Sequence, residues 1–170
     1  MEINSKARTL KNLSIKAASI PKLKIYKSKN FYYDQNKILN NIKKNFNSPV
    51  AIRSSSKNED QPNKSNAGKY VSFLNVAPKN TNELKTKIKS VIKSYRKNIN
   101  NSEFFIQKMV KNIKISGVVL TRELENYLPC YNINYYVGKD SAAVTSGKSG
   151  SKNIIYIENR KYKINSKFKK

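Results

Sequence analysis

The sequence predicts an α+β domain, with helices and strands mixed in residues 1–100 and a mainly antiparallel sheet in residues 101–165. Three observations carry that prediction. Apolar residues recur at helical spacing in "NTNELKTKIKSVIKSYRKN" and "YYDQNKILNNIKKNF", a run of short β-rich segments follows Asn101, and 170 residues suit one domain with a real core.

Each element follows from local pattern. "SKARTLKNL" sets Ala7, Leu10 and Leu13 three residues apart on one face, a short helix. "SIPKLKIYKS" alternates Ile20, Leu23 and Ile25 with lysines, and Pro21 argues against helix, so a short strand is expected. Ile38, Leu39, Ile42 and Phe46 have helical spacing and meet a stop at Asn47-Ser48-Pro49. "VAIRSS" is a compact strand. "KYVSFLNV" is strand-like, with Val71, Phe73 and Asn75 alternating against Ser72, Leu74 and Val76. The next helix is the most secure. Asn80 and Glu83 have capping-box spacing, and Leu84, Ile88, Val91, Ile92 and Tyr95 form its apolar stripe. Five β segments follow: "EFFIQKMV", "ISGVVLT", "YNINYYVG", "NIIYIEN" and "KYKIN", with "ENRK" as a hairpin turn between the last two. Residues 166–170 form a basic tail expected to fray.

Composition narrows the function classes. The 35 Lys and Arg against 10 Asp and Glu give +25, a field that attracts polyanions. Nucleic acid is nevertheless not the expected partner. Lys is strongly preferred over Arg, alongside abundant Asn, Ile and Tyr, and the bias runs through core strands and loops alike. An A- and T-rich coding sequence accounts for that, whereas a nucleic-acid reader concentrates Arg on one face. The single cysteine, Cys130, excludes an internal disulfide framework and fits a reducing compartment. With no His, imidazole zinc sites and His-based acid–base catalysis are absent. No signal-peptide core or membrane span is legible, so a soluble cytoplasmic protein is expected.

The most informative stretch is "AIRSSSKNEDQPNKSNAGKYVSFLNV", from Ala51 to Val76. On composition it is a polar loop between two strands. Its elements Arg53-Ser54-Ser55, Glu59-Asp60, Ala67-Gly68 and Phe73-Leu74-Asn75-Val76 resemble the nucleotide-binding domain of PEP synthase and pyruvate, phosphate dikinase, a branch of the ATP-grasp fold. "FFIQKMVKNIKISGVVLT" resembles the same family's Val-Gln-x-Met-Val and Ser-Gly-Val-x-x-Thr segments through Gln107, Met109, Val110, Ser116, Gly117, Val118 and Thr121. Asn4-Ser5-Lys6-Ala7 is a weaker match to Gly-Gly-Lys-(Ala/Gly), and "YNINYYVGKDSAAVTSG" resembles a variant branch with an Ile-Asn-Tyr strand before Val-Thr-Ser-Gly.

That resemblance implies an ATP-grasp-like, partial nucleotide-binding domain over residues 1–170, with ATP as ligand and Mg²⁺ as its companion. Arg53 would offer phosphate oxygens a fixed fork of donors; the plain alternative is a surface ion pair with Glu59 or Asp60. Lys6 would supply a point charge at a helix start, although the two preceding glycines are replaced and backbone freedom is lost. Ser65, Ala67 and Gly68 would close over the triphosphate, or form an ordinary turn. Gln107, Met109 and Val110 fall where the family passes the adenine; an ordinary buried strand serves Met109 equally. Thr121, and Arg122 after it, would face the phosphates.

The resemblance also implies what lies elsewhere. Mg²⁺ ligands are expected beyond "TSG", yet after Gly147 the one acid is Glu158. The family's phosphohistidine domain is not in this chain either. The expectation is a segment of a larger enzyme, its second lobe incomplete, that binds ATP together with a missing C-terminal half or a phosphohistidine domain. The alternatives are a basic protein holding nucleic acid or another polyanion on a degenerate ATP-grasp scaffold, and a non-functional remnant.

Overall fold

In the computed structural model, residues 5–14, 18–56, 60–61, 64–65, 70–121, 130–147 and 150–156 are described, and the chain divides into two units, residues 1–110 and 111–170. The first unit runs α1 (Lys6–Asn12), β1 (Leu23–Lys27), α2 (Ser28–Tyr33), α3 (Gln35–Asn45), β2 (Val50–Ser56), β3 (Asp60–Gln61), β4 (Lys64–Ser65), β5 (Phe73–Val76), α4 (Thr81–Ser94) and, after a 3₁₀ turn over Arg96–Asn101, β6 (Ser102–Lys108). Its main sheet has the order β1-β6-β2-β5, antiparallel throughout, and β3 and β4 pair as a small separate hairpin. β6, the first strand of the expected β-rich half, is thus central to the first unit.

Alternation along the strands sends one set of side chains to the helical side. Val50 and Ile52 of β2 and Phe104 and Ile106 of β6 pack there against Phe31 of α2, Ile38, Leu39 and Ile42 of α3, and Leu84, Ile88, Val91 and Ile92 of α4. Tyr26 of β1 stacks on Phe104 at 5.4 Å, and Phe31 meets the same ring edge-on at 5.9 Å. The Tyr26 hydroxyl donates to Asn41 Oδ1, and burial pushes its pKa up to about 12. In α4 all five stripe residues are buried. Its cap is one-sided: the Asn80 side chain accepts from the Glu83 N–H at 3.1 Å, while the Asn80 N–H donates to the Ala77 carbonyl.

Three local departures have physical causes. The expected second helix is preceded by a separate one, α2, because Asp34 leaves helical geometry at φ −115° and ψ 32° and ends one helix while starting the other. No apolar period announced α2: Phe31 is buried but Tyr33 is 86% exposed. The "KYVSFLNV" strand begins only at Phe73, and its alternation fails because Asn75 sits at φ 57°, where the register against β2 shifts. Asn tolerates this left-handed conformation better than a branched residue would. Leu13, placed on the apolar face of the first helix, caps it instead and is exposed.

The second unit holds β7 (Ile115–Leu120), β8 (Tyr131–Val137) and β9 (Lys152–Tyr156) in one antiparallel sheet, order β7-β8-β9. Turns span Ser141–Gly147, and Gly147 takes φ 68°, as a "VTSG" turn needs. The "ENRK" hairpin, the "KYKIN" strand and the basic tail lie outside the described residues.

Candidate functional site

The face of the first sheet turned away from the helical core carries the motif residues. Register places side chains on that face in three rows across β1, β6 and β2: Leu23–Gln107–Ala51, Ile25–Phe105–Arg53 and Lys27–Glu103–Ser55. Phe105 and Ala51 are buried, Arg53 and Gln107 half-buried. α1 docks at the third row. The Ala7 N–H donates to Ser55 Oγ at 3.0 Å, the Ser5 hydroxyl donates to Glu103 Oε2 at 3.0 Å, and Arg8 reaches Glu103 Oε1 at 2.6 Å with its Nη2. Arg8 Nε adds contacts of 3.2 and 3.3 Å to the two carboxylate oxygens.

The same row is tied from the helical side. The Tyr95 hydroxyl accepts from the Ser55 N–H at 2.9 Å and donates to the Glu103 carbonyl, bridging β2 and β6. Ser55 therefore couples α4's end to α1's beginning through the thickness of the sheet. The hydrogen bond from Arg8 holds the Glu103 carboxyl below the ordinary carboxylate range; burial opposes this, and the Ser5 hydroxyl and the charges of Arg8 and Lys27 reinforce it. Because Arg8 is half-exposed, the ion pair with Glu103 contributes about 1–2 kcal/mol, well short of a fully buried pair.

The predicted site residues fall into three groups. Lys6, Arg53 and Gln107 belong to the first unit, Lys6 exposed as the first residue of α1 between buried Ser5 and Ala7. Met109 follows β6, with its N–H donating to the Pro49 carbonyl, and Val110 beside it is exposed. Ser65 is in β4, paired through its backbone with Asp60. Thr121 stands exposed after β7 in the second unit. Ala67, Gly68, Glu59 and Arg122 lie outside the described residues. Among the described residues the Arg53 side chain makes no hydrogen bond or ion pair, and a guanidinium suits an anionic group such as a phosphate.

A cleft of about 480 Å³ opens at the third row, one row from Arg53, which does not line it. Arg8, Lys27, Lys29 and Glu103 line it with Asn100 and Asn101 and four serines. Sequence reasoning missed Ser5, Arg8, Tyr95 and Glu103 as site-builders, because their contacts join residues up to 98 apart. One signal was present: an acid at the head of an otherwise apolar strand, in so basic a chain, needs a cationic partner. Ser5 stands where the resembling motif has glycine, and its hydroxyl supplies a bond that glycine lacks.

Among the described residues no group of three His, Cys, Asp or Glu comes together to hold a metal ion, and no helix is long and apolar enough to cross a membrane. No curated protein matches the sequence significantly. The family model of the AMP/ATP-binding domain of pyruvate phosphate dikinase matches residues 7–167, and the mixed α+β architecture with antiparallel sheets agrees with the ATP-grasp-like fold expected of it. With nearly its whole length inside that match, this chain belongs to the pyruvate phosphate dikinase AMP/ATP-binding domain family.

Proposed function

We propose that this chain binds ATP on the α1 side of its first sheet, as the nucleotide-holding part of a PEP synthase-like phosphotransferase. Membership in a family named for AMP/ATP binding sets the ligand class. The observation that carries the reading is the shared face: Arg53 and Gln107 stand on neighbouring strands, in adjacent rows, away from the helical core. In this reading Gln107, Met109 and Val110 take the adenine while Lys6 and Arg53 take the phosphates. The family resemblance adds Ser65, Ala67 and Gly68 to the phosphate-binding set.

The phosphoryl group then passes toward a histidine on a separate domain, since this chain contains none. Alone, the chain binds without turnover, and its expected location is the cytoplasm. Mg²⁺ accompanies ATP in such transfers, but the described residues offer it no set of carboxylates.

Calorimetric titration of ATP into the wild-type chain and into Arg53→Ala tests the reading. Loss of roughly tenfold in affinity in the variant is expected. Equal affinity in the two removes Arg53 from the site. The charge of +25 favours a second reading, a polyanion-binding protein on the same scaffold. Its mark is affinity for nucleic acid that falls steeply with salt.

A further inference from the structure

The cleft at the third row has a chemistry of its own. Of its described lining residues, Arg8, Lys27 and Lys29 are cationic and Glu103 alone is anionic. Glu103 is already engaged by Arg8 and Ser5, so Arg8's charge is largely answered within the protein. Lys27 acts on Glu103 only through space, without a direct ion pair, and Lys29 is left over. Both side chains are exposed, they flank the junction of β1 and α2, and neither donates a hydrogen bond among the described residues. Around them the lining includes the Ser55 hydroxyl and the amides of Asn100 and Asn101, groups that donate to oxygen without adding charge. A cleft with two ammonium groups that make no direct ion pair, and with neutral donors, fits a phosphate-bearing anion, and a volume of about 480 Å³ admits a chain of phosphates.

Position along the sheet agrees. Glu103 and Gln107 are four residues apart on β6, which spans about 13 Å of extended strand, with Arg53 in the row between. A nucleotide whose base lies at Gln107 would run its phosphates past Arg53 toward this cleft. We propose that the cleft is a phosphoanion site in which Lys27 and Lys29, neither of them in the motif segments, hold the terminal phosphates. The proposal deepens the ATP reading and rests on it only for the source of the phosphate, since free polyphosphate presents the same chemistry.

Because the whole chain is strongly basic, the test needs a charge-matched control. Inorganic tripolyphosphate, ATP and adenosine are titrated at physiological salt into the full-length wild type, Lys27→Gln/Lys29→Gln, and Lys89→Gln/Lys93→Gln. The last pair is exposed on α4, which covers the opposite face, and removes the same charge. Tripolyphosphate binding roughly tenfold weaker in the first pair, and changed less than about twofold in the second, is the expected result. Lys27→Arg/Lys29→Arg should retain binding, which separates lost charge from lost folding. A parallel loss for ATP with adenosine unchanged makes the nucleotide the source, whereas a loss confined to tripolyphosphate makes it free phosphate. Equal losses in both Gln pairs, or no tripolyphosphate binding by the wild type, overturn the proposal. Tripolyphosphate binding without ATP binding instead removes the nucleotide reading and leaves this site standing.

Discussion

In residues 1–110, α2, α3 and α4 close one face of a four-stranded sheet, and Ile42, Ile52, Ile88 and Ile106 are fully buried; in residues 111–170, a three-stranded sheet leaves Ile115, Val119 and Val137 at 63, 57 and 59% exposure. Both sheets are antiparallel and both are rich in β-branched residues. Among the described residues, what separates them is the helices. A sheet gains its hydrophobic stabilisation from what covers it, at roughly 25 cal/mol per Å² of apolar surface removed from water. Strand pattern alone does not reveal the covering. Stability in this chain should therefore be concentrated in the first unit, where the candidate site is also built.

Truncating a side chain in each unit sets that contrast most sharply. Ile88→Ala, in the middle of α4's buried stripe, should cost about 3–4 kcal/mol in denaturant unfolding. Val119→Ala, on an exposed strand face, should cost less than about 0.5 kcal/mol. Comparable costs would mean that the second sheet is covered after all. A second substitution probes β7 and β8 directly. A Cβ at Gly117 would lie 2.6 Å from the Asn134 carbonyl oxygen and 3.2 Å from Tyr135 Cβ. Gly117→Ala should thus force the two strands apart at a cost of about 1–3 kcal/mol, read as local loss of amide protection in residues 115–120. Unchanged protection there would show that the second sheet has room to give.

Glu103 links stability to the site. Its folded pKa lies below its unfolded value, so its contribution is complete above the ordinary carboxylate range and is lost as pH falls through the lowered folded value. The stability gap between wild type and Glu103→Gln should be constant near neutrality and shrink on acidification. A gap that grows toward acid pH would place the carboxylate in a different environment. A single bond is at stake in the α4 cap: Asn80→Ala should cost about 1 kcal/mol through loss of the bond to the Glu83 N–H. No measurable change would mean that water replaces the side chain there.

The legible elements were those whose stabilisation is local. α4 showed itself by its stripe and its cap, and β2 and β6 by compact apolar runs. α2 was not legible because a six-residue helix with a single buried aromatic has no period to read. The left-handed turn at Asn75 was hidden for the same reason: one residue sets it, and Asn is common throughout this chain. Within the candidate site, the motif they belong to is what singled out Arg53 and Gln107. Periodicity would have assigned them only to strands, and it took the register to show that they share a face. The carboxylate clamp among Ser5, Arg8 and Glu103 depends on contacts between distant segments, which no local pattern encodes. The Tyr95 bridge was hidden differently, since the stripe marked Tyr95 as core and gave no sign of what its hydroxyl does.

The proposed binding mode sets the nucleotide on the α1 face of the first sheet. Amide NMR spectra recorded during ATP titration test it most directly. Saturable shifts are expected at Ala7, Arg53, Ser55, Gln107 and Met109, with the helical-core amides of α3 and α4 little changed. Shifts spread over the exposed lysines of α3 and α4, with none at Ala7, Arg53 or Gln107, would contradict it.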